Sequence, residues 1–188
     1  MTTPSSELSS RRLDLAGTRD FAVAGPGPAR RAAPAAFNRR WPAGTWASAP
    51  GGSRIEGIAL AAVGSIGRGD AGPLSDYDLV LLHSERSLPA KELTALADRI
   101  WYPIWDAGVR LDHSVRTVTQ CRQVAASDLT AAVGLLDLAP LAGDEQLVVA
   151  ARSTVAHDWR GNARKRLPLL VEAVASRHQR QGDLAQSI

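Results

Sequence analysis

Two aspartates separated by a single residue, Asp76 and Asp78, are the side chains of this sequence best suited to chemistry. They lead into the apolar run Leu79–Leu82, which is typical of a buried strand. Because side chains alternate along a strand, the two carboxylates point to the same side. Neighbouring carboxylates repel each other unless a cation lies between them, and Mg²⁺ favours one or two carboxylates together with substrate phosphates. The pair therefore predicts a magnesium site.

A glycine-rich turn stands upstream of this pair and reads Gly64-Ser65, one further residue, then Gly67-Arg68-Gly69. Glycine has no Cβ, so the backbone can turn tightly and approach a ligand closely. Backbone N–H groups and the Ser65 hydroxyl could hold phosphate oxygens there, and Arg68 brings positive charge. The order of apolar strand, glycine turn, polar spacer and paired carboxylates predicts a nucleotidyl-transfer site. The alternative is an ordinary turn between two core strands.

The elements that must position these groups are short apolar strands and one amphipathic helix. Gly57–Val63 has the length and the bounding glycines of a buried strand. Apolar residues at helical spacing predict a helix over Ala90–Trp101, which we expect to end at Tyr102-Pro103 because a residue before proline disfavours the helical conformation. Gly108–Thr117 alternates in the manner of a third strand, with Asp112 as its one acidic residue.

The two ends of the chain carry weaker signals. We expect residues 1–52 to be poorly ordered, with Trp41 and Trp46 docked on the domain. We expect a nucleotidyltransferase core over residues 53–118 and a helical extension over residues 119–188. The helices predicted in that extension are Asp128–Leu138, Asp144–Trp159 and Asn162–His178, with a break from Pro140 to Gly143.

Composition narrows the class of protein. The 188 residues are 45% hydrophobic, enough for one soluble domain with a substantial core. No apolar run is long enough to span a bilayer, and the first residues lack the apolar centre of a signal peptide, so cytoplasm is the expected location. Cys121 is the single cysteine and is expected to be a small buried residue. The net charge of +3 comes from scattered arginines, and no motif favours a specific nucleic-acid ligand.

The stretch GSIGRGDAGPLSDYDLVLLH resembles the nucleotidyltransferase motif of the DNA polymerase beta superfamily. More narrowly it is similar to the bacterial PII-protein uridylyltransferase/uridylyl-removing enzymes, whose usual motif has glycine, tyrosine and glutamate where this chain has Ser65, Ile66 and Asp70. Two further blocks extend the likeness, WYPIWDAG with HSVRT at residues 101–117, and DLT with LLD and AGD at residues 128–144. The resemblance runs from about Gly57 to Leu184, with none seen before about residue 50.

The resemblance implies an α/β (α+β) fold of the polymerase-beta-like nucleotidyltransferase type, with a small mixed sheet flanked by helices and a helical C-terminal extension. It implies that a neighbouring strand supplies a third carboxylate, for which Asp112 is the candidate and Asp106 a less suitable substitute. Arg116 either contacts a nucleotide phosphate or pairs with a site aspartate. His113 is expected to be a hydrogen-bonded structural residue rather than a base.

The implied catalytic and metal-binding residues are Asp76, Asp78 and Asp112, and the implied nucleotide-binding residues are Gly64, Ser65, Gly67, Arg68, Ser75 and Arg116. The implied reaction uses two Mg²⁺ ions to transfer UMP or AMP from UTP or ATP to a tyrosine of the PII nitrogen-regulatory protein, and it releases pyrophosphate. The HD and ACT domains of that family have no counterpart here, so a transferase module alone is expected. A stand-alone transferase with another acceptor, and an inactive fragment that only binds nucleotide or PII, are the alternatives.

Overall fold

A computed structural model describes residues 3–18, 27–48 and 56–181 of the chain. Within these ranges it contains four strands and seven helices. In chain order the elements are α1 (Pro4–Ala16), α2 (Gly27–Ser48), β1 (Ile58–Ala62), α3 (Gly64–Arg68), β2 (Tyr77–His83), α4 (Ala90–Asp106), β3 (Leu111–Arg116), α5 (Val118–Ser127), α6 (Leu129–Leu136), β4 (Ala139–Gly143) and α7 (Glu145–Gln181).

The strands form one mixed sheet in the order β3-β2-β1-β4. Strand β1 pairs antiparallel with both β2 and β4, whereas β2 and β3 run parallel. The connection from β2 to β3 passes through α4, as a parallel pair requires. In this parallel register Asp78 lies opposite Asp112, so the fold brings together two carboxylates that are 34 residues apart in sequence.

Helices cover both faces of the sheet, because alternate residues of the central strands point to opposite sides. Leu60, Leu79 and Leu81 belong to the core that packs against α1, α2 and α4. Val80 and Leu82 belong to a second core that packs against α5, α6 and α7. The expected mixed sheet with flanking helices and a helical C-terminal part is confirmed.

The N-terminal region differs from the sequence-based expectation. The described parts of residues 1–52 form the helices α1 and α2, whose apolar residues enter the first core. Leu8 is fully buried, and Trp41 and Trp46 are 9% and 2% exposed, so the predicted docking of both tryptophans is confirmed. Poor order was the wrong expectation for these parts, since packing against the sheet stabilises helices whose own sequences carry little periodicity.

Three further elements depart from the prediction. Helix α4 continues past Pro103 to Asp106, because the fully buried Ile104 packs in the core and holds the last turn. The segment Ala139–Gly143, expected as a break, is the edge strand β4, where a proline is tolerated. The two helices expected after it are the single helix α7, which passes through Pro168.

None of the helices in the described part of the chain is both long enough and apolar enough to cross a membrane.

Candidate active site

The glycine turn begins where β1 ends. Gly64 has φ +59°, a left-handed conformation that strains any other residue, and it starts the short helix α3. A Cβ placed on Gly64 would lie 3.0 Å from Asp78 Oδ2. Glycine at this position therefore allows the turn to approach the carboxylate that the sequence assigns to the metal.

The three predicted carboxylates meet at the adjacent β2 and β3 strands. Asp78 is half-buried and is opposite Asp112 in the register, while Asp76 lies just before β2. Asp76 is exposed, and one of its oxygens lies 3.5 Å from Arg110 Nη1. Burial raises the pKa of Asp78, and the negative charges of Asp112 and Asp76 raise it further. The three acidic groups are therefore close enough to interact electrostatically.

An open cleft with a volume of about 730 Å³ lies beside this cluster. Its walls come from the turn after β1, from β2 and β3, and from helices α5, α6 and α7. Of the predicted site residues, those that line the cleft are Gly64, Ser65, Arg68, Asp78, Asp112 and Arg116. Gly67, Ser75 and Asp76 are not among the lining residues, so the structure gathers six of the nine predicted residues around one cavity.

Arg68 and Arg116 differ in how they are held. Arg68 Nη1 donates to Asp137 Oδ2 at 2.6 Å, and Arg68 Nε lies 3.3 Å from Asp70 Oδ2. The hydrogen bond to Asp137 is the main reason that the pKa of Arg68 is raised. Arg116 has no carboxylate partner among the described residues and is half-buried on the cleft wall. The geometry therefore leaves Arg116 the freer of the two cations.

Gly67 and Ser75 take structural positions in the spacer between the turn and the carboxylates. A Cβ on Gly67 would overlap the carbonyl oxygen of Asp137, so only glycine fits where α3 passes the end of α6. The Ser75 hydroxyl accepts a hydrogen bond from the N–H of Gly72 at 2.8 Å and closes a turn immediately before Asp76.

The donor chemistry of the cluster fits Mg²⁺. Carboxylate oxygens are hard ligands, and this ion takes one or two protein carboxylates while keeping waters or phosphate oxygens at its other positions. In the described residues, no group of three or more acidic, histidine or cysteine side chains is placed so that it could hold a metal ion. The pair Asp76 and Asp78, with Asp112 beside them, supplies the partial set that a metal shared with a substrate phosphate needs.

His113 and Cys121 lie near the site without an evident chemical role. The His113 ring packs against Trp101 and Trp105, with centroid distances of 5.3 and 5.1 Å. Cys121 is fully buried, as predicted, and burial raises the pKa of its thiol to about 11. A neutral buried thiol is a poor nucleophile at neutral pH.

Sequence reasoning missed several residues of the cleft, Asp137 and Arg177 among them, and also the polar contacts that support the cleft from behind. Asp137 holds Arg68, and Arg177 reaches the cleft from the far end of α7. Asp137 belongs to one of the similar blocks, which was the available signal, whereas nothing local marks Arg177. The polar contacts that α1 and α2 make with the spacer could not be read from sequence, because those residues are distant along the chain.

Comparison with known proteins agrees with this geometry. The model of a nucleotidyltransferase domain matches residues 52–129. The chain is 49% identical over 158 residues, or 84% of its length, to the bifunctional uridylyltransferase/uridylyl-removing enzyme of Streptomyces coelicolor. It is 47% identical over 69% of its length to the enzyme of the same name from Mycobacterium tuberculosis H37Rv, and 40% identical over 67% to that of Corynebacterium glutamicum.

The extent of these matches has two consequences. An alignment of 158 residues cannot fit within residues 51–188, so the likeness reaches at least into α2, contrary to our expectation of none before about residue 50. The chain spans 16 to 18% of the length of these three relatives. The chain therefore carries a nucleotidyltransferase domain and is similar over most of its length to the bifunctional uridylyltransferase/uridylyl-removing enzymes.

Proposed function

We propose that this chain transfers a nucleoside monophosphate from a nucleoside triphosphate to a hydroxyl group of a protein acceptor. A bond forms between the acceptor oxygen and the α-phosphorus, the bond from that phosphorus to the β-phosphate bridge breaks, and pyrophosphate leaves. The observation that carries the proposal is the register of Asp78 against Asp112 beside the Gly64 turn. That arrangement sets acidic groups and a close backbone approach at the mouth of a cleft that can admit a nucleotide.

Asp76, Asp78 and Asp112 would hold Mg²⁺. When bound, this ion would neutralise triphosphate charge and lower the pKa of the acceptor hydroxyl. We assign Asp112 a second task, because it is exposed on the cleft wall and can accept the proton that leaves that hydroxyl. A count of two ions is part of the proposal.

The remaining cleft residues bind and orient the donor. The backbone at Gly64 and the Ser65 hydroxyl face the cleft and can donate hydrogen bonds to phosphate oxygens. Arg116 lines the same cavity and offsets negative charge on the triphosphate. Arg68 acts mainly by holding Asp137, and thereby α6, against the turn.

The proposed donor is UTP, with ATP as the alternative, and the proposed acceptor is a tyrosine of the PII nitrogen-regulatory protein. The donor follows from the relatives, which are named for uridylyl transfer and are between four and five times as long as this chain. The acceptor follows from the resemblance of the sequence motifs. A soluble cytoplasmic enzyme without a membrane or specific nucleic-acid partner is the setting that we propose.

The test is release of pyrophosphate by the purified chain with Mg²⁺, UTP or ATP, and purified PII protein. We expect release that depends on PII and on one of the two nucleotides. A folded protein that releases none with either nucleotide would contradict the proposed acceptor, and labelled nucleotide with a panel of other acceptors would then identify a different one.

Substitutions at the carboxylates test the assignment of the site. We expect Asp78→Asn and Asp112→Asn each to lower the transfer rate by about 100-fold or more. The reason is that loss of one well-placed electrostatic interaction in an active site commonly lowers the rate by about this factor. Asp106→Asn is the matched control, because Asp106 is an exposed aspartate at the end of α4. Equal losses in Asp106→Asn and Asp112→Asn would contradict the role of Asp112.

A further inference from the structure

The N-terminal helices touch the candidate active site through polar side chains. Arg12 of α1 donates from Nε to the carbonyl of Pro73 at 2.8 Å and from Nη2 to the carbonyl of Ser75 at 2.5 Å. Its guanidinium also lies over the Tyr77 ring, 5.1 Å from the centroid. Two of the contacted residues therefore flank Asp76, since Ser75 precedes it and Tyr77, the first residue of β2, follows it. One side chain thus fixes the backbone from which the carboxylate pair projects.

Asn38 of α2 holds the middle of the same stretch. Its Nδ2 donates to the carbonyl of Gly72 at 2.7 Å, and its Oδ1 accepts from the Tyr77 hydroxyl at 3.1 Å. The side chain is fully buried, so these hydrogen bonds have no competition from water.

Arg39 of α2 holds the beginning of the stretch. Its Nη1 donates to the carbonyls of Ile66 and Gly67 at 2.9 and 3.3 Å, and its Nη2 donates to the carbonyl of Pro140 at 3.1 Å. It therefore connects the end of the glycine turn with the edge strand β4. Together the three side chains contact residues 66–75, which we call the spacer segment.

The spacer segment has little regular structure of its own after α3. Between Gly69 and Asp76 the backbone forms no helix or strand, and its internal hydrogen bonds are few, such as that from the N–H of Ser75 to the carbonyl of Gly72. Carbonyl groups in such a segment would otherwise be satisfied by water. Its conformation therefore depends on donors supplied from elsewhere, and α1 and α2 supply them.

The burial of Arg12 is not what stability alone would select. The residue is 5% exposed, it has no carboxylate partner in a salt bridge among the described residues, and its Nη1 atom has no hydrogen-bond partner. Burying a cation costs free energy unless it is fully paired. The unfavourable free energy of burying Arg12 is explained if its hydrogen bonds to the two carbonyl groups serve the site.

We propose that Arg12, Asn38 and Arg39 are positioning residues, which fix the spacer segment and thereby the distance and orientation of the Gly64 turn relative to Asp76 and Asp78. This inference rests on the proposed function for its kinetic consequence but not for its structural one. According to this proposal, the N-terminal helices contribute to the geometry of the candidate site.

The first test is hydrogen exchange of the spacer segment in the full chain, with no ligand added. We expect Arg12→Met and Arg39→Met to accelerate exchange there by about tenfold or more, because the methionine keeps the apolar stem and removes the donors. The informative amides are those of Gly67, Asp70 and Ser75, which are hydrogen-bonded in the structure.

The matched control is Leu15→Ala, which removes a buried side chain from α1 without removing a donor to the spacer segment. Under conditions in which every variant is fully folded, it should accelerate exchange in α1 but not in the spacer segment. Unchanged exchange in either methionine variant, or equal acceleration in Leu15→Ala, would overturn the proposal. The two methionine substitutions lie on different helices. If one variant fails to fold, the other still tests the proposal.

The second test is kinetic. We expect Arg12→Met to lower kcat by about tenfold or more and to raise the Mg²⁺ concentration for half-maximal transfer, with Arg12→Lys intermediate, whereas Leu15→Ala changes neither. A normal kcat and a normal Mg²⁺ dependence in Arg12→Met would contradict a positioning role. If the wild-type chain transfers no nucleotide, the proposed function fails, and hydrogen exchange alone then decides whether the three side chains fix the spacer segment.

Discussion

At the scale of single residues, Asp78 is a group that suits the candidate site but whose negative charge is unfavourable for folding. Its carboxylate is half-buried, and both burial and the charges of Asp112 and Asp76 raise its pKa. A carboxyl group whose pKa is raised in the folded state favours folding most when it is protonated. Its contribution is fully present below the ordinary pKa of an aspartate and is lost as the pH rises through the raised value.

We therefore expect Asp78→Asn to stabilise the chain in metal-free buffer at neutral pH. A gain of about 1 kcal/mol would raise Tm by about 2–4 °C in a protein of this size. The gain should shrink as the pH falls through the raised pKa of Asp78, because the wild-type carboxyl then becomes protonated. Thermal unfolding followed by circular dichroism at several pH values measures it, and a lower Tm for the variant at neutral pH would contradict the electrostatic explanation.

The two cleft arginines should have different kinetic effects. Arg116 pairs with no carboxylate in the part of the chain that the structure describes, so Arg116→Met is expected to raise the KM for the nucleoside triphosphate by about tenfold, the loss of one charge-assisted contact. Arg68→Met should have a smaller effect on KM, because Arg68 already pairs with Asp137. Steady-state kinetics of both variants make the comparison. A larger rise in KM for Arg68→Met would show that the Arg68–Asp137 pair opens to receive the substrate.

At the scale of elements, two glycines in helices should respond in opposite directions to the same substitution. Gly67→Ala should destabilise the chain by about 2–3 kcal/mol, because the new methyl group would overlap the backbone of Asp137 and could not be accommodated without displacing α3. Gly161→Ala should stabilise it by about 1 kcal/mol, because Gly161 lies inside α7 with no atom within 4 Å of the added carbon. Urea unfolding of both variants tests this, and a neutral Gly67→Ala would contradict the tight contact of α3 with α6.

The elements differ in how well the sequence predicts them, because some depend on neighbouring residues and others on residues that are distant along the chain. Strands β1 and β2 and helix α4 carry it locally, as continuous or periodic apolar residues, and were predicted to within a few residues apart from the C-terminal end of α4. Strand β4 has a proline and small residues, and only its pairing with β1 makes it a strand. Helix α7 is continuous through Arg160 and Gly161, where the sequence predicted a gap between two helices.

The same distinction applies to the candidate site. Gly64, Asp76 and Asp78 lie close together in the chain, and their types and order predict the chemistry. The resemblance implied that a neighbouring strand supplies Asp112. The parallel register that sets Asp112 opposite Asp78 was not predicted. The contacts of Arg12 and Arg39 join residues 61 and 27 or more positions apart, so no local pattern indicates them.

At the scale of the whole molecule, the N-terminal helices are part of the hydrophobic core. Trp46→Ala should therefore lower the free energy of unfolding by about 3–5 kcal/mol, the usual cost of removing a buried tryptophan. Trp105→Ala is the matched control, since Trp105 is 40% exposed and should cost much less. Chemical denaturation of both variants compares them. Similar losses would mean that α2 does not stabilise the sheet.

The reach of Arg39 also constrains how the chain is made. Its contact with the carbonyl of Pro140 joins residues 101 positions apart, and Arg39 precedes Pro140 in the order of synthesis. Helix α2 therefore has no complete docking surface until β4 has been translated. Contacts of such long sequence separation slow folding and leave apolar surface exposed in the meantime. Arg39 thus gains one of its partners in the site only after the 101 residues that follow it have been synthesised.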